Sequence, residues 1–179
     1  MSADFTVGIA SHPRIQGQHY FERLRCGIYL TNPSQELFQT PMTIHIDNKP
    51  VTTQFLEMFL VLGYSAMKEH YLKTINGMII VYSITDSYSF SQVKFYYEDF
   101  MKLRDLNEIP IIVVGDECEK ENERQVSKEE GKQFAESINA QFIEVSSKAE
   151  INIGQSFMML MDKLNPKKGK GKDKDCIIC

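Results

Sequence analysis

Two apolar runs constrain this chain more than anything else in it: Met78-Ile79-Ile80-Val81-Tyr82 and Ile111-Ile112-Val113-Val114-Gly115. Both are short and rich in β-branched residues, and neither alternates apolar with polar, which is the pattern of a strand buried on both faces. Each is followed by a segment of helical character. After the first, Thr85-Asp86 offers an N-cap to a stretch whose apolar residues recur at Phe90, Val93, Tyr97 and Phe100. After the second, Ser127-Lys128-Glu129-Glu130 has the form of a capping box. Alternation of this kind requires parallel pairing through right-handed crossovers.

The remaining segments extend the pattern. Residues 5–10 read as a buried strand, 18–30 as a helix, and 38–46 and 51–59 as two strands around the turn-rich Asp47-Asn48-Lys49-Pro50, which predicts an antiparallel hairpin. Residues 65–75 read as a helix, 142–145 as a strand and 151–164 as an amphipathic helix. The expectation is a three-layer α/β fold: a mostly parallel six-stranded sheet with one antiparallel hairpin strand and helices on both faces. Ligands of such sheets bind at the carboxyl ends of the strands. The loops to inspect are therefore 10–17, 57–63, 116–120 and 146–149.

A chain of 179 residues with 42% hydrophobic and 25% charged residues can bury one core. A single domain over 1–165 is expected, followed by a lysine-rich tail, 166–179. The longest stretch free of Asp, Glu, Lys and Arg is the 12 residues 74–85, too short to cross a bilayer, and no basic leader opens the chain. A chain neither secreted nor membrane-spanning is expected. Four scattered cysteines, Cys26, Cys118, Cys176 and Cys179, make no disulfide framework and fit a reducing compartment. His12, His19, His45 and His70 have no metal spacing, so no metal site is expected. Met158, Met159 and Met161 read as core and surface fillers on the last helix. Five lysines against two aspartates give residues 167–179 a surplus of +3; with −4 overall, the preceding residues carry −7. That sign argues against nucleic acid as a partner of the body.

Read in order, the loops carry a resemblance. Tyr64-Ser65-Ala66-Met67, Val81-Tyr82-Ser83-Ile84-Thr85, Glu144-Val145-Ser146-Ser147-Lys148 and the terminal Cys176-Ile177-Ile178-Cys179 resemble, in sequence and spacing, the second switch helix, the fourth strand, the last guanine-contacting loop and the prenylation box of Ras-family small GTPases. The resemblance runs from about residue 5 to 179 and implies a P-loop-NTPase-like, Ras-like G domain. It also makes the departures informative. A phosphate cradle needs G-x-x-x-x-G-K-[S/T], in which glycine backbones turn amides inward, Lys meets the β- and γ-phosphates and the hydroxyl holds magnesium. Here the segment is Ala10-Ser11-His12-Pro13-Arg14-Ile15-Gln16-Gly17. Pro13 has no amide proton, β-branched Ile15 resists positive φ, Gln16 replaces the lysine, and no lysine precedes Lys49.

The other phosphate-end parts differ too. Where the family's second switch carries D-x-x-G-Q, this chain has Glu57-Met58-Phe59-Leu60-Val61; Leu60 and Val61 can neither sense a γ-phosphate nor orient water. The first switch, aligned near Asn32-Pro33-Ser34-Gln35, lacks the metal-binding Thr. At the base end, N-K-x-D becomes Asp116-Glu117-Cys118-Glu119. Glu119 keeps a carboxylate for the guanine N–H groups, Glu117 replaces the lysine that packs on the purine, and Asp116, Ser146, Ser147 and Lys148 complete the residual base-site set. Seven acids against three bases between 116 and 130 repel polyphosphate. Losing three or four charge-assisted hydrogen bonds at roughly 1.5–3 kcal/mol each removes about 5–12 kcal/mol, or about four to nine decades of affinity.

The run Phe55-Leu56-Glu57-Met58-Phe59-Leu60-Val61-Leu62 extends the third strand, fills the vacated cavity or forms a protein-binding patch. Each of the first two freezes a switch, because burial there cannot be toggled by exchange. In the tail, Lys167, Lys168, Lys170, Lys172 and Lys174 precede Cys176, the expected lipid acceptor, with Cys179 as a second. One lipid with a basic segment makes two membrane signals. A redox or zinc role for C-I-I-C is weaker, since no partner motif exists. The expected function is a Ras-like pseudoGTPase: a membrane-anchored signalling and protein-binding module with lost or very weak GTP binding and hydrolysis. It would need no cofactor and would sit on the anionic cytoplasmic face of a membrane, the plasma membrane first. The rivals are a genuine GTPase using GTP or GDP, magnesium and the stand-ins Arg14, Glu57 and Glu119, and a structural homodimer joined through 55–62 or an edge strand.

Overall fold

The structure, a computed structural model, describes residues 4–11, 17–26, 41–46, 49–58 and 65–165. In chain order the elements are β1 (Phe5–Ser11), α1 (Gly17–Cys26), β2 (Met42–Ile46), β3 (Lys49–Glu57), α2 (Ser65–Thr74), β4 (Gly77–Ser83), α3 (Ser87–Met101), β5 (Ile111–Asp116), α4 (Lys128–Ser137), β6 (Gln141–Glu144) and α5 (Ile153–Leu164). One six-stranded sheet has the order β2-β3-β1-β4-β5-β6. β2 and β3 pair antiparallel; every other neighbouring pair is parallel. The alternating pattern and the expected hairpin strand are therefore both present.

The two β-branched runs explain why the sheet is covered twice. Met78, Ile80 and Tyr82 of β4 and Ile111 and Val113 of β5 join one core with Phe90, Val93, Phe100 and Phe134. Their neighbours Ile79, Val81, Ile112 and Val114 join a second core with Tyr20, Phe21, Phe55 and Phe157. Successive strand residues point to opposite faces, so an unbroken apolar run is what a sheet between two helical layers demands. Aromatic contacts tie each layer down: Phe21 meets Phe55 edge-on at 4.8 Å, and Tyr82 lies 4.6 Å from Phe90. α4 approaches most closely at Gly131, where a Cβ would collide with the Tyr82 hydroxyl and fall 2.7 Å from the Phe142 ring.

Caps behave as the sequence suggests. The Asp86 carboxylate accepts from the Tyr88 and Ser89 amides, and Ser127 and Glu130 complete a reciprocal capping box. Several boundaries differ, β3 among them, which ends at Glu57 rather than at 59. Lys49 and Pro50, expected in the turn, belong to β3 and pair with Ile46 and His45, because the hairpin closes more tightly than the turn composition implies. Ile151, expected in the last helix, instead forms a bridge with Ser146, and α5 begins at Ile153. The last strand, β6, ends at Glu144 rather than at Val145, which is fully buried beyond it. The expected extensions over 27–30 and 38–40 lie outside the described residues. No described helix is long and apolar enough to cross a membrane.

Candidate functional site

Strand order reverses direction at β1: the chain leaves β1 toward β3 and β2, then crosses by α2 to β4 on the other side. That switch point opens a crevice at the carboxyl ends of the strands. Along this edge lie Ser11, Glu57, Ser83, Asp116 and the 145–148 loop, with Ser11 in register with Val81 and Ser83 with Asp116. Residues expected from the sequence, on loops far apart in the chain, are thus brought to one edge.

At the base end, Asp116 is fully buried. Its Oδ1 accepts the Glu117 amide at 2.7 Å and the Ser147 amide at 2.8 Å, and its Oδ2 accepts the Ser147 hydroxyl at 2.5 Å. Burial nevertheless dominates and pushes the carboxyl up from 3.8 to about 6, against the pull of those hydrogen bonds. Ser146 and Ser147 are buried as well. The Ser146 hydroxyl accepts the Ala149 amide at 2.8 Å, and its backbone exchanges two hydrogen bonds with Ile151. Lys148 and Glu119 are exposed; among the described residues Glu119 makes no hydrogen bond.

Glu117 is the residue whose role the sequence conceals. Its backbone is left-handed, φ 69, and its side chain folds back into the protein. Oε2 accepts the Ser83 hydroxyl at 2.5 Å and the Thr85 hydroxyl at 2.8 Å, while Oε1 pairs with Lys120. Burial would raise its carboxyl, but the bonds from Lys120, Ser83 and Thr85 and the lysine charge outweigh it and hold the group below its usual value. The charge expected to face an anionic ligand is therefore neutralised within the chain. The acidic loop is likewise wired rather than simply solvated: Arg124 pairs with Glu121 at 2.6 Å and with Glu144 at 2.7 Å. Cys118, half-buried, has its thiol pushed up by burial and by Glu119, Glu144 and Asp116, the opposite of a reactive thiolate.

The phosphate end is finished differently. Ala10 and Ser11 are buried at the end of β1, and Gly17 opens α1. Glu57 closes β3; Met58 then donates its amide to the Ile9 carbonyl and buries its side chain completely, with Cγ 3.2 Å from where a Gly8 Cβ would stand. Of the apolar run, Phe55 enters the second core and Leu56 packs on the first. His12, Pro13, Arg14, Ile15, Gln16, Leu60, Val61, the tail lysines and Cys176 and Cys179 lie outside the described residues. No three His, Cys, Asp or Glu side chains among the described residues converge on a common point. One contributor was invisible in the sequence: Arg23 of α1, which reaches the 147–150 loop across 124 residues and belongs to no motif.

A six-stranded, mostly parallel sheet in this order, with one antiparallel pair, helices on both faces and its switch point at β1, has the α/β fold of P-loop GTPases. The profile of the Ras family matches residues 36–166, most of the chain, and the protein belongs to the Ras family of small GTPases. Similar proteins include Ras-like protein 1 of Saccharomyces cerevisiae, 38% identical over 125 residues that cover 70% of this chain and 40% of that one. A Ras-like protein of Laccaria bicolor is 40% identical over 101 residues, covering 56% of this chain and 48% of its own. The matched region thus spans less than half the length of these curated relatives.

Proposed function

We propose that this Ras-family chain is a binding module whose nucleotide site has been remodelled until GTP binding and hydrolysis are lost or very weak. The observation that carries the reading is chemical: Gln16 occupies the position from which a lysine must neutralise the β- and γ-phosphates, with Pro13 and Ile15 in place of residues that turn amides inward. The base end supports it. The Ser147 amide and hydroxyl both donate to Asp116, and Glu117, where a lysine would lie along the purine, is held by Ser83, Thr85 and Lys120. A site with its donors engaged internally must break those bonds to take a base. Hydrolysis lacks both a water-orienting group at Val61 and a metal-supporting aspartate at Glu57.

Family membership favours a second reading, a GTPase that binds nucleotide through altered contacts, with Arg14, Glu57 and Glu119 as the stand-ins. Nucleotide extraction separates the two. Freshly purified protein, denatured and chromatographed, is expected to release far less than one equivalent of guanine nucleotide, and calorimetry with GTP or GDP and magnesium is expected to show no micromolar binding. One equivalent of GDP would end the first reading. We also assign the tail a membrane role: a lipid on Cys176 backed by Lys167, Lys168, Lys170, Lys172 and Lys174 on an anionic cytoplasmic leaflet. Cys176→Ser is expected to move the protein from the membrane to the soluble fraction of cells, and unchanged retention would refute the assignment.

A further inference from the structure

The 146–152 loop holds two of the positive-φ positions found among the described residues. Glu150 and Asn152 both have left-handed backbones, φ 61 and 58, without being glycine. Such residues persist only where their surroundings over-determine them. Two sets of contacts do so here. From below, buried Asp116 takes the amide and hydroxyl of Ser147, and the Asn152 side-chain amide donates to the Glu144 carbonyl at 2.9 Å. From the side, Arg23 of α1 donates through Nε to the Ser147 carbonyl at 2.8 Å and through Nη2 to the Lys148 carbonyl at 3.0 Å, and its Nη1 lies 3.4 Å from the Glu150 carboxylate. The Arg23 side chain is only 12% exposed and its Nε bond to Ser147 is partly buried, a setting that strengthens that bond, while the contacts to Lys148 and Glu150 face solvent.

The connection matters because of what it joins. α1 begins at Gly17, directly after the phosphate-loop position, and the Ser147 loop belongs to the base end. In a site of this architecture a bound nucleotide spans those two regions. Here Arg23, six residues into α1, ties that helix to the base-side loop through a planar guanidinium whose fork matches two successive carbonyls, a geometry a single ammonium cannot reproduce.

We propose that Arg23 is a built-in crossbridge that fixes the base-side loop to α1 without any ligand. This deepens the proposed function and rests on it, since a module that works empty needs its loops set by its own side chains. Arg23 is a positioning residue, and the surface it fixes around Lys148 and Glu150 is a permanent feature of the protein rather than one gated by exchange.

Hydrogen exchange on the nucleotide-free full chain tests it. Arg23→Leu is expected to speed exchange of the Ser147, Ala149 and Ile151 amides at least tenfold while Ile112, Val113 and Val114 in β5 stay within twofold. Arg23→Lys, which keeps the charge and the fold, is expected to fall between parent and Arg23→Leu. Loop exchange within twofold of the parent in Arg23→Lys and Arg23→Leu alike would overturn the crossbridge, as would equal acceleration of loop and β5, which marks general destabilisation. Titration of the parent with GDP and magnesium keeps the two ideas separable. Tight binding there would sink the proposed function and leave the crossbridge standing, whereas an unaffected loop in the variants would sink the crossbridge alone.

Discussion

The carboxyl ends of β3 and β5 lie on the same edge of one sheet and are finished in opposite ways. β3 leaves through Met58, which is fully buried beside Gly8 and belongs to the apolar core. β5 leaves through Asp116 and Glu117, whose four carboxylate oxygens are all engaged by amides, hydroxyls or Lys120. Both ends are met by groups of the chain itself, but the means differ. Removing apolar area from water needs no partner of defined geometry, whereas burying charge costs free energy unless every oxygen is met. The first finish is tolerant of neighbours and the second is exacting.

The largest expected effect tests the apolar finish. Met58→Ala leaves a cavity against Gly8 and Ile75 and is expected to cost about 2–5 kcal/mol of unfolding free energy in urea titrations. A loss below about 1 kcal/mol would mean that Met58 is not core. The next effect has the opposite sign. Because the Asp116 carboxyl lies near 6 when folded against 3.8 ordinarily, the folded state holds its proton between those values while the unfolded state has released it. The contribution of this group to stability is then greatest below pH 4, declines as pH rises toward 6, and above that becomes a cost of about 3 kcal/mol. Asp116→Asn keeps an acceptor for the Ser147 amide and removes the charge. Its denaturation midpoint is expected to exceed the parent's at pH 7.5 and to approach it at pH 4.5; parallel pH curves would refute the assignment.

Glu117→Gln is expected to be smaller, about 1–2 kcal/mol of destabilisation, since it weakens charge-assisted bonds from Lys120, Ser83 and Thr85 without leaving a cavity. If its midpoint matches the parent's, the polar finish is less exacting than the geometry indicates. The smallest change concerns the buried Tyr82 hydroxyl, which has no hydrogen-bond partner among the described residues and faces Gly131. Tyr82→Phe is expected to be neutral or to stabilise by up to about 1 kcal/mol, because it removes an uncompensated desolvation cost. A loss of about 1 kcal/mol or more on thermal unfolding would show that the hydroxyl is partnered in solution.

Much of this was legible beforehand for identifiable reasons. The β4 and β5 runs announced a doubly covered sheet, Asp86 and Ser127 announced two helix starts, and the spacing of the loops marked the edge where a site would lie. Asp116, Ser146 and Ser147 were placed at that edge because strand ends are readable. Glu117 was not: its type and position suggested a charge facing the ligand, and nothing local revealed that Ser83 and Thr85, over thirty residues earlier, would draw it inward.

Period, cap and charge count are properties of neighbours along a chain, and from them came the elements, their order and the edge of the sheet where a site would lie. The partners of Glu117, the burial of Asp116 and the grip of Arg23 on Ser147 depend on atoms that meet only after the sheet has formed. A hydrogen bond is decided by ångströms and angles at its destination, and no pattern read along the backbone contains those coordinates.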